Sequence, residues 1–395
     1  MNTEIPAPVM VRAASGTGLV HAAFVLTGVM TTLLGPMLPV FSARWTLSDS
    51  EAGYLFTAQF ASSILGVAIS SVLVHRFGYR LTIVLGLGFM ALGAGVLAQA
   101  NWIVAVISVC IYGFGLGLSI PTANLLIAEL HPDRRAAALN LLNFSWGIGA
   151  VGCPFVVAAL QRSQRTSLFL LGMTVCLALV AISLGCIHLP VDAKRDSPKA
   201  PAIEADANIW KSRLVPVLGA LFFVYVGTEN SIGGWVASYA RRIDVSSGTF
   251  WALTPSFFWG ALLLGRALAP VILRHVRETT LASAGLVLAS LGVSVLLIAN
   301  TMALVVVGAS VAGFGLASVF PINIALLSQW FGEIASRIGG LMFALSSLGG
   351  ATVPWVVGAL SSRFGSLRVG LMVPLFGSLT MLLLYLKNRQ SPRLT

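Results

Sequence analysis

Glu229 is the residue of this chain best suited to chemistry. It lies near the middle of an apolar run over about 214–240. An ionisable group at that depth costs about 2.5–3.5 kcal/mol on insertion scales, so it needs a cavity or a partner. A buried carboxylate is also a group that can exchange a proton. At helical spacing Phe222, Tyr225, Glu229 and Gly233 share one face. An aromatic wall beside a carboxylate suits a sugar, whose apolar face stacks on rings while its hydroxyls donate to the acid, and it also suits a cation. The other reading is structural: a hydrogen bond or ion pair with another helix, with Arg241 or Arg242 near the helix end as partner.

The run over 137–160 offers Asn140, Asn143 and Trp146, three apart on one face. An amide both donates and accepts, as sugar hydroxyls require; the same amides could equally hydrogen-bond between helices, at about 0.6 kcal/mol per contact. Gln59, Asn124 and Asn323 are further polar groups in apolar runs, each open to either role. The candidate solute contacts are therefore Tyr225, Asn230, Trp235, Asn143, Trp146, Asn124 and Gln59, with Glu229 as the ion-coupling acid. Arg266, about seven residues before the end of its run, is read as structural, snorkelling to the cytoplasmic face or pairing with an acid there. Trp235, Trp251, Trp259 and Trp355 are each open to cavity wall or interfacial belt.

The elements that must position these residues are legible in the composition. The 395 residues are 57% hydrophobic and only 9% charged, against about 25% charged in soluble domains. Such a surface faces lipid, not water. Runs long enough to span a bilayer fall at 17–41, 50–74, 80–99, 102–128, 137–160, 167–189, 214–240, 248–273, 280–299, 302–328, 338–361 and 367–386. The first run is too long for a signal-peptide core and is expected to stay as a membrane helix. The net charge of +11 resides in short turns between runs, which points to membrane topology and away from nucleic acid. With a cytoplasmic N-terminus, sixteen Lys and Arg fall on the cytoplasmic side and seven on the other. This orientation places both termini in the cytoplasm, and the expected location is the inner membrane.

Residues 190–213 form the longest polar stretch and read as a cytoplasmic linker. It separates an N-terminal six-helix bundle, 1–189, from a C-terminal one, 214–395. The two are related by an internal repeat: Gly113-Phe114-Gly115-Leu116 recurs as Gly313-Phe314-Gly315-Leu316, Pro121 as Pro321, Gly149 as Gly349, and Pro154-Phe155-Val156-Val157 as Pro354-Trp355-Val356-Val357. Several matches at one offset across two spans indicate duplication, an arrangement in which a solute site lies between the halves near mid-membrane.

These features resemble the major facilitator superfamily over nearly the whole chain. The loop between the second and third runs, Ser71 to Arg80, matches that family's signature at Arg76, Gly78 and Arg80, with Ser71 and His75 standing where the family has glycine and aspartate. Glu129 to Arg135 echoes a second family loop. The resemblance implies an all-α membrane fold of two pseudo-symmetric six-helix bundles, and gating by Arg76, Gly78, Arg80, Glu129 and Arg134 at the cytoplasmic helix ends. Within the superfamily the chain is similar to the fucose/glucose-type sugar symporters, on the linker position, Tyr225-Val226-Gly227-Thr228-Glu229-Asn230, Gly233-Gly234-Trp235 and Asn140-Leu141-Leu142-Asn143. It has no acid in its first run, and Ile120 stands at that branch's acidic position in the fourth.

The expectation is a secondary transporter that moves a small polar solute, foremost a sugar, together with a proton or sodium ion. It is expected to act as a monomer in the lipid bilayer. The alternative is a proton-coupled exporter of drugs or metabolites, for which both diagnostic pairs, Gly-Pro and Gly-Gly, are broken around Gly149–Pro154. A sensor or scaffold would need a sizeable soluble domain, which no loop provides. There is no phosphate-binding Gly-Lys motif and no clustered histidines, so no enzyme activity, cofactor or metal is expected. Cys110, Cys153, Cys176 and Cys186 lie in apolar runs and read as packing residues.

Overall fold

The computed structural model describes residues 7–163, 165–187, 212–244, 248–332 and 335–388. Their regular structure is helical: α1 (Ala7–Thr32), α2 (Leu34–Trp45), α3 (Asp49–Leu97), α4 (Trp102–Leu130), α5 (Arg135–Arg162), α6 (Thr166–Cys186), α7 (Leu214–Ile243), α8 (Thr254–Ile272), α9 (Glu278–Ile298), α10 (Met302–Leu316), α11 (Val319–Phe331), α12 (Ala335–Phe364), α13 (Leu367–Gly370) and α14 (Met372–Lys387). Of the linker expected over 190–213, all but Ser212 and Arg213 lies outside the described residues.

Among the described residues ten segments are long and apolar enough to cross a membrane, and the bent pair α1–α2 adds another. One of the ten, α3, is two helices joined at Gly78, whose φ of 85° and ψ of 171° are non-helical. The fold is thus the expected twelve transmembrane helices. In lipid every backbone amide needs an internal partner, which is why helix dominates despite the many glycines.

Three expected spans are interrupted, and prolines explain each break. Pro36, Pro321 and Pro374 are each the third residue of α2, α11 and α14. A proline ring clashes with the carbonyl four residues earlier and lacks an N–H to bond it. Those carbonyls belong to Thr32, Ala317 and Gly370, and the helices break at Leu33, at Ala317–Ser318 and at Leu371. At the first break α1 and α2 meet at 44°. Pro121, the repeat partner of Pro321, stays inside an unbroken α4.

The chain packs as two compact units. The first draws on the described residues of Met1–Thr31, Ser62–Gly152 and Arg165–Ile203, the second on those of Thr32–Ala61, Cys153–Gln164 and Glu204–Thr395. In each, glycines let helix backbones touch. A Cβ on Gly149 would stand 1.9 Å from the Val25 carbonyl oxygen, and one on Gly349 would stand 1.9 Å from that of Phe223. The Gly149–Gly349 match at the 200-residue offset therefore encodes one helix crossing used twice, α1 on α5 in the first unit and α7 on α12 in the second. Gly115 against Gly86 and Gly315 against Gly285 repeat the pattern, at 2.4 and 2.5 Å.

Within the second unit α2 lies on α7, where a Cβ on Gly35 would meet the Gly233 carbonyl oxygen at 2.6 Å. The start of α3 belongs here too. Ser48 and Glu51 form a reciprocal cap, the Ser48 N–H donating to Glu51 Oε2 at 2.8 Å and the Glu51 N–H to Ser48 Oγ at 3.3 Å. One residue on, Asp49 accepts from Arg242 Nη1 at 2.9 Å and from Ser361 Oγ. Phe56 packs against Trp235, and Thr57 Oγ1 donates to the Ala351 carbonyl at 2.7 Å.

Candidate functional site

The middle of α7 carries the site. Tyr225 and Glu229 are one turn apart, and the Tyr225 hydroxyl donates to Glu229 Oε1 at 2.8 Å. Arg266 reaches over from α8, its Nη2 donating to the same Oε1 at 3.0 Å and to the Tyr225 hydroxyl oxygen at 3.3 Å. Three residues thus close a ring of hydrogen bonds around one carboxylate oxygen. The Glu229 side chain is 10% exposed and that of Arg266 24%, so the pair is largely shielded from solvent while keeping an opening at the guanidinium. Arg266 Nε is buried and makes no hydrogen bond among the described residues.

Sequence reasoning offered Arg241 or Arg242 as the structural partner of Glu229. The structure assigns that place to Arg266. Arg242 pairs with Asp49, while Arg241 donates to the Pro39 carbonyl at 2.8 Å and lies over the Trp251 ring. Arg266 was expected to meet an acid at the cytoplasmic face; the acid it pairs with is Glu229, at the middle of α7.

An aromatic wall adjoins the pair. The Tyr225 ring packs on Phe320 of α11 at 5.3 Å between centroids, and Phe222 sits edge-on to Phe320 at 5.5 Å and to Phe343 of α12 at 6.1 Å. Tyr225 and Phe222 are fully buried, whereas Phe343 is 45% exposed, so the wall runs from the core to an open surface. Gly233, the fourth member of the expected face, leaves room for Trp259: a Cβ there would lie 2.6 Å from the indole.

The other expected contacts are dispersed. Asn230 is buried and its amide donates to the Val226 carbonyl at 2.9 Å. Asn124 and Asn143 do the same with Ile120 and Leu139, each at 2.8 Å. Such bonds to the carbonyl four residues back leave the amide oxygen as the group a solute could use. In the first unit Trp146 donates to Thr31 Oγ1 at 3.3 Å, and nearby His21 Nδ1 and Ser145 Oγ share a hydrogen bond of 2.8 Å. Gln59 is buried. Trp235 is fully buried and donates to the Pro354 carbonyl at 2.9 Å, which makes it a packing residue between α7 and α12. Asn323 accepts from the Tyr385 hydroxyl at 2.6 Å.

The expected gating residues of the first unit lie at helix ends. Arg80 Nη1 donates to the Ile187 carbonyl at 2.8 Å, just past the C-terminus of α6, where orphan carbonyls and the helix dipole favour a cation. The Tyr79 hydroxyl donates to Glu129. Burial, and then the Glu129 carboxylate, push that hydroxyl above its ordinary range. Arg76 and Arg134 are exposed.

Sequence reasoning missed Asp49 and did not match Arg266 to Glu229. Asp49 was legible as the residue after the first member of a Ser-x-x-Glu cap, but its partners lie 193 and 312 positions away. Charge balance could have matched Arg266 to Glu229, as the basic residue inside a span in the same half as the one deep acid.

The family model described as Major Facilitator Superfamily matches residues 20–282. The sodium-dependent glucose transporter 1A of Mus musculus is 23% identical over 397 residues, covering 88% of this chain and 90% of that protein. The glucose/galactose transporter of Brucella abortus biovar 1 (strain 9-941) is 27% identical over 380 residues, 89% of each. Among solved structures, a crystal structure of the nucleoside transporter NupG aligns with a TM-score of 0.79 at 13% identity, over 95% of this chain and 99% of that one; at that identity the likeness concerns the fold.

Proposed function

Since the chain belongs to the Major Facilitator Superfamily, a family of membrane transporters and not of enzymes, we propose that it carries a neutral hexose or related polyol by ion-coupled symport. The observation that carries this reading is the Glu229–Arg266 pair beside the Tyr225, Phe222, Phe320 and Phe343 wall. The pair has no net charge, so the wall suits an uncharged solute. Carboxylate and guanidinium offer acceptors and donors to hydroxyls, while rings take the apolar face of a sugar. The two relatives named above are both called glucose transporters, which agrees with that chemistry. Export of lipophilic cations would call for a lone anion, and Arg266 already neutralises this one.

In this reading Glu229 is the coupling acid and Tyr225 its positioning partner. Asn230, Asn124, Asn143, Trp146 and Gln59 supply further solute contacts as the halves 1–189 and 214–395 alternate access about the linker 190–213. Trp235, on Phe56 and the Pro354 carbonyl, packs α7 against α12. Arg76, Gly78, Arg80, Glu129 and Arg134 form the cytoplasmic gate. The distribution of Lys and Arg supports an inner-membrane location with both termini in the cytoplasm, and the protein works as a monomer in the bilayer.

Counterflow in proteoliposomes with a panel of labelled hexoses tests this reading. Saturable, stereoselective exchange is the expected result. Uptake of lipophilic cations with no exchange of any hexose would replace it with export.

A further inference from the structure

We infer that the second unit carries a binding site for a phosphate-bearing anion at the end where α7 finishes, with Arg368 as its cation. The site is separate from the Glu229–Arg266 pair and does not depend on it. Tyr239, its contribution from α7, lies about 15 Å along that helix from Glu229 at 1.5 Å per residue.

A cavity of about 460 Å³ opens there, lined among others by Tyr239, Arg242, Asn300, Gly365, Ser366 and Arg368. Its volume falls within the range of about 300–1,000 Å³ usual for small-ligand pockets. Gly365 takes a φ of 66°, a left-handed value that suits glycine, and turns the chain from α12 into α13. Arg368 is fixed before any ligand arrives. Its Nη2 donates to the Ala299 carbonyl at 2.7 Å and its Nε to the Tyr239 hydroxyl oxygen at 3.2 Å. That hydroxyl donates in turn to the Leu296 carbonyl at 2.7 Å. These partners are neutral, and among the described residues no carboxylate pairs with Arg368, so its charge is uncompensated. Arg242 differs, since both its Nη atoms donate to Asp49. Arg368 Nη1, the Ser366 hydroxyl and the Asn300 amide make no hydrogen bond among the described residues.

One uncompensated guanidinium with a hydroxyl and an amide beside it is a receptor for an oxyanion. The planar guanidinium matches phosphate oxygens, and the Ser and Asn side chains add neutral donors. A side chain already held in place loses little freedom on binding. A neutral solute would leave the Arg368 charge unmatched. The segments on either side of the Gly365 turn carry exposed apolar side chains, Phe364 at 60%, Met372 at 40% and Phe376 at 59%. They suit the acyl chains of a lipid. Arg363 lies over the Phe364 ring at 6.0 Å and brings a second cation close to the turn, as in basic sites that hold lipid headgroups. The phosphate of an anionic phospholipid and free phosphate share this chemistry, and the test separates the two.

The test follows the unfolding midpoint of the detergent-purified full chain during titration with short-chain phosphatidylglycerol, with the matching phosphatidylcholine and with inorganic phosphate. Phosphatidylglycerol should bind saturably and raise the midpoint, and phosphatidylcholine should bind more weakly. Arg368→Gln should weaken phosphatidylglycerol binding by about tenfold, the worth of one charge-assisted hydrogen bond. Asn300→Asp, which sets a carboxylate in the lining without removing a hydrogen bond of the fold, should weaken it as much and leave the lipid-free midpoint unchanged. That variant carries the test if Arg368→Gln does not fold. Arg274→Gln, at an exposed basic residue just past α8, should bind like the parent. Inorganic phosphate acting as strongly as phosphatidylglycerol, with the same loss in Asn300→Asp, would support the site and assign it to a soluble anion. The inference is overturned if no probe gives a saturable shift, if phosphatidylcholine binds as well as phosphatidylglycerol, if Asn300→Asp binds undiminished, or if Arg274→Gln loses as much.

Discussion

Asp49 and Arg242 join the first turn of α3 to the last turn of α7, with Arg242 Nη1 donating to Asp49 Oδ2 at 2.9 Å. Each charge sits where its own helix dipole favours it, the acid at an N-terminus and the base at a C-terminus. Ser361 of α12 donates to the same carboxylate, so one acid ties together three helices of the second unit.

Replacing Asp49 with Asn should therefore destabilise the protein, but modestly. The Arg242 side chain is 48% exposed and that of Asp49 12%, which places the pair near the upper end of the about 0–1 kcal/mol typical of surface pairs. Unfolding in detergent should show the difference at low ionic strength and a smaller one at high salt. A variant as stable as the parent at low salt would mean that the pair contributes nothing.

The Glu229–Arg266 pair should behave differently because it is shielded. Glu229→Gln or Arg266→Gln alone strands a charge, and breaking a buried pair costs about 3–5 kcal/mol, the lower part of that range being expected with Arg266 24% exposed. The double variant should recover most of the loss. Denaturation of all four proteins gives the coupling energy, and additive single effects would rule out a direct interaction.

The repeated helix crossing predicts a matched pair of defects. Gly149→Ala and Gly349→Ala each put a methyl group 1.9 Å from a backbone oxygen, and overpacking of that kind costs about 1–3 kcal/mol or more. Both should lower the yield of monodisperse protein after extraction. Gly152→Ala, with nothing within 4 Å of its Cβ, should be silent. Normal yield from Gly149→Ala and Gly349→Ala would show that the crossings can spread at little cost.

Gly78 holds φ 85° and ψ 171° between the two helices of α3, a conformation essentially reserved for glycine, so Gly78→Ala should cost about 1–3 kcal/mol. The strain should appear as a lower unfolding midpoint, while Gly88→Ala, in open space on the same element, serves as control. Equal midpoints for the two variants would remove the strain argument.

The spans, their number and the internal repeat were legible in the amino-acid order because each is a local or periodic property. Twenty apolar residues are long enough to cross a bilayer whatever surrounds them, and an offset of 200 survives any rearrangement of helices. Glu229 stood out for a similar reason, since the cost of a charge in an apolar run needs no neighbour to define it. Its partner did not. Arg241 lies twelve residues along the same helix, about 18 Å away at 1.5 Å per residue, too far to serve, and the structure sends it to Pro39 instead. Which residue of which other helix faces Glu229 depends on helix rotation and depth, which long-range packing decides. Packing likewise made Trp235 a buried strut on Pro354 and Trp259 the filler beside Gly233. The three proline breaks were not legible either, since Pro121 sits in an unbroken α4 and tertiary contacts settle whether a given proline splits its span.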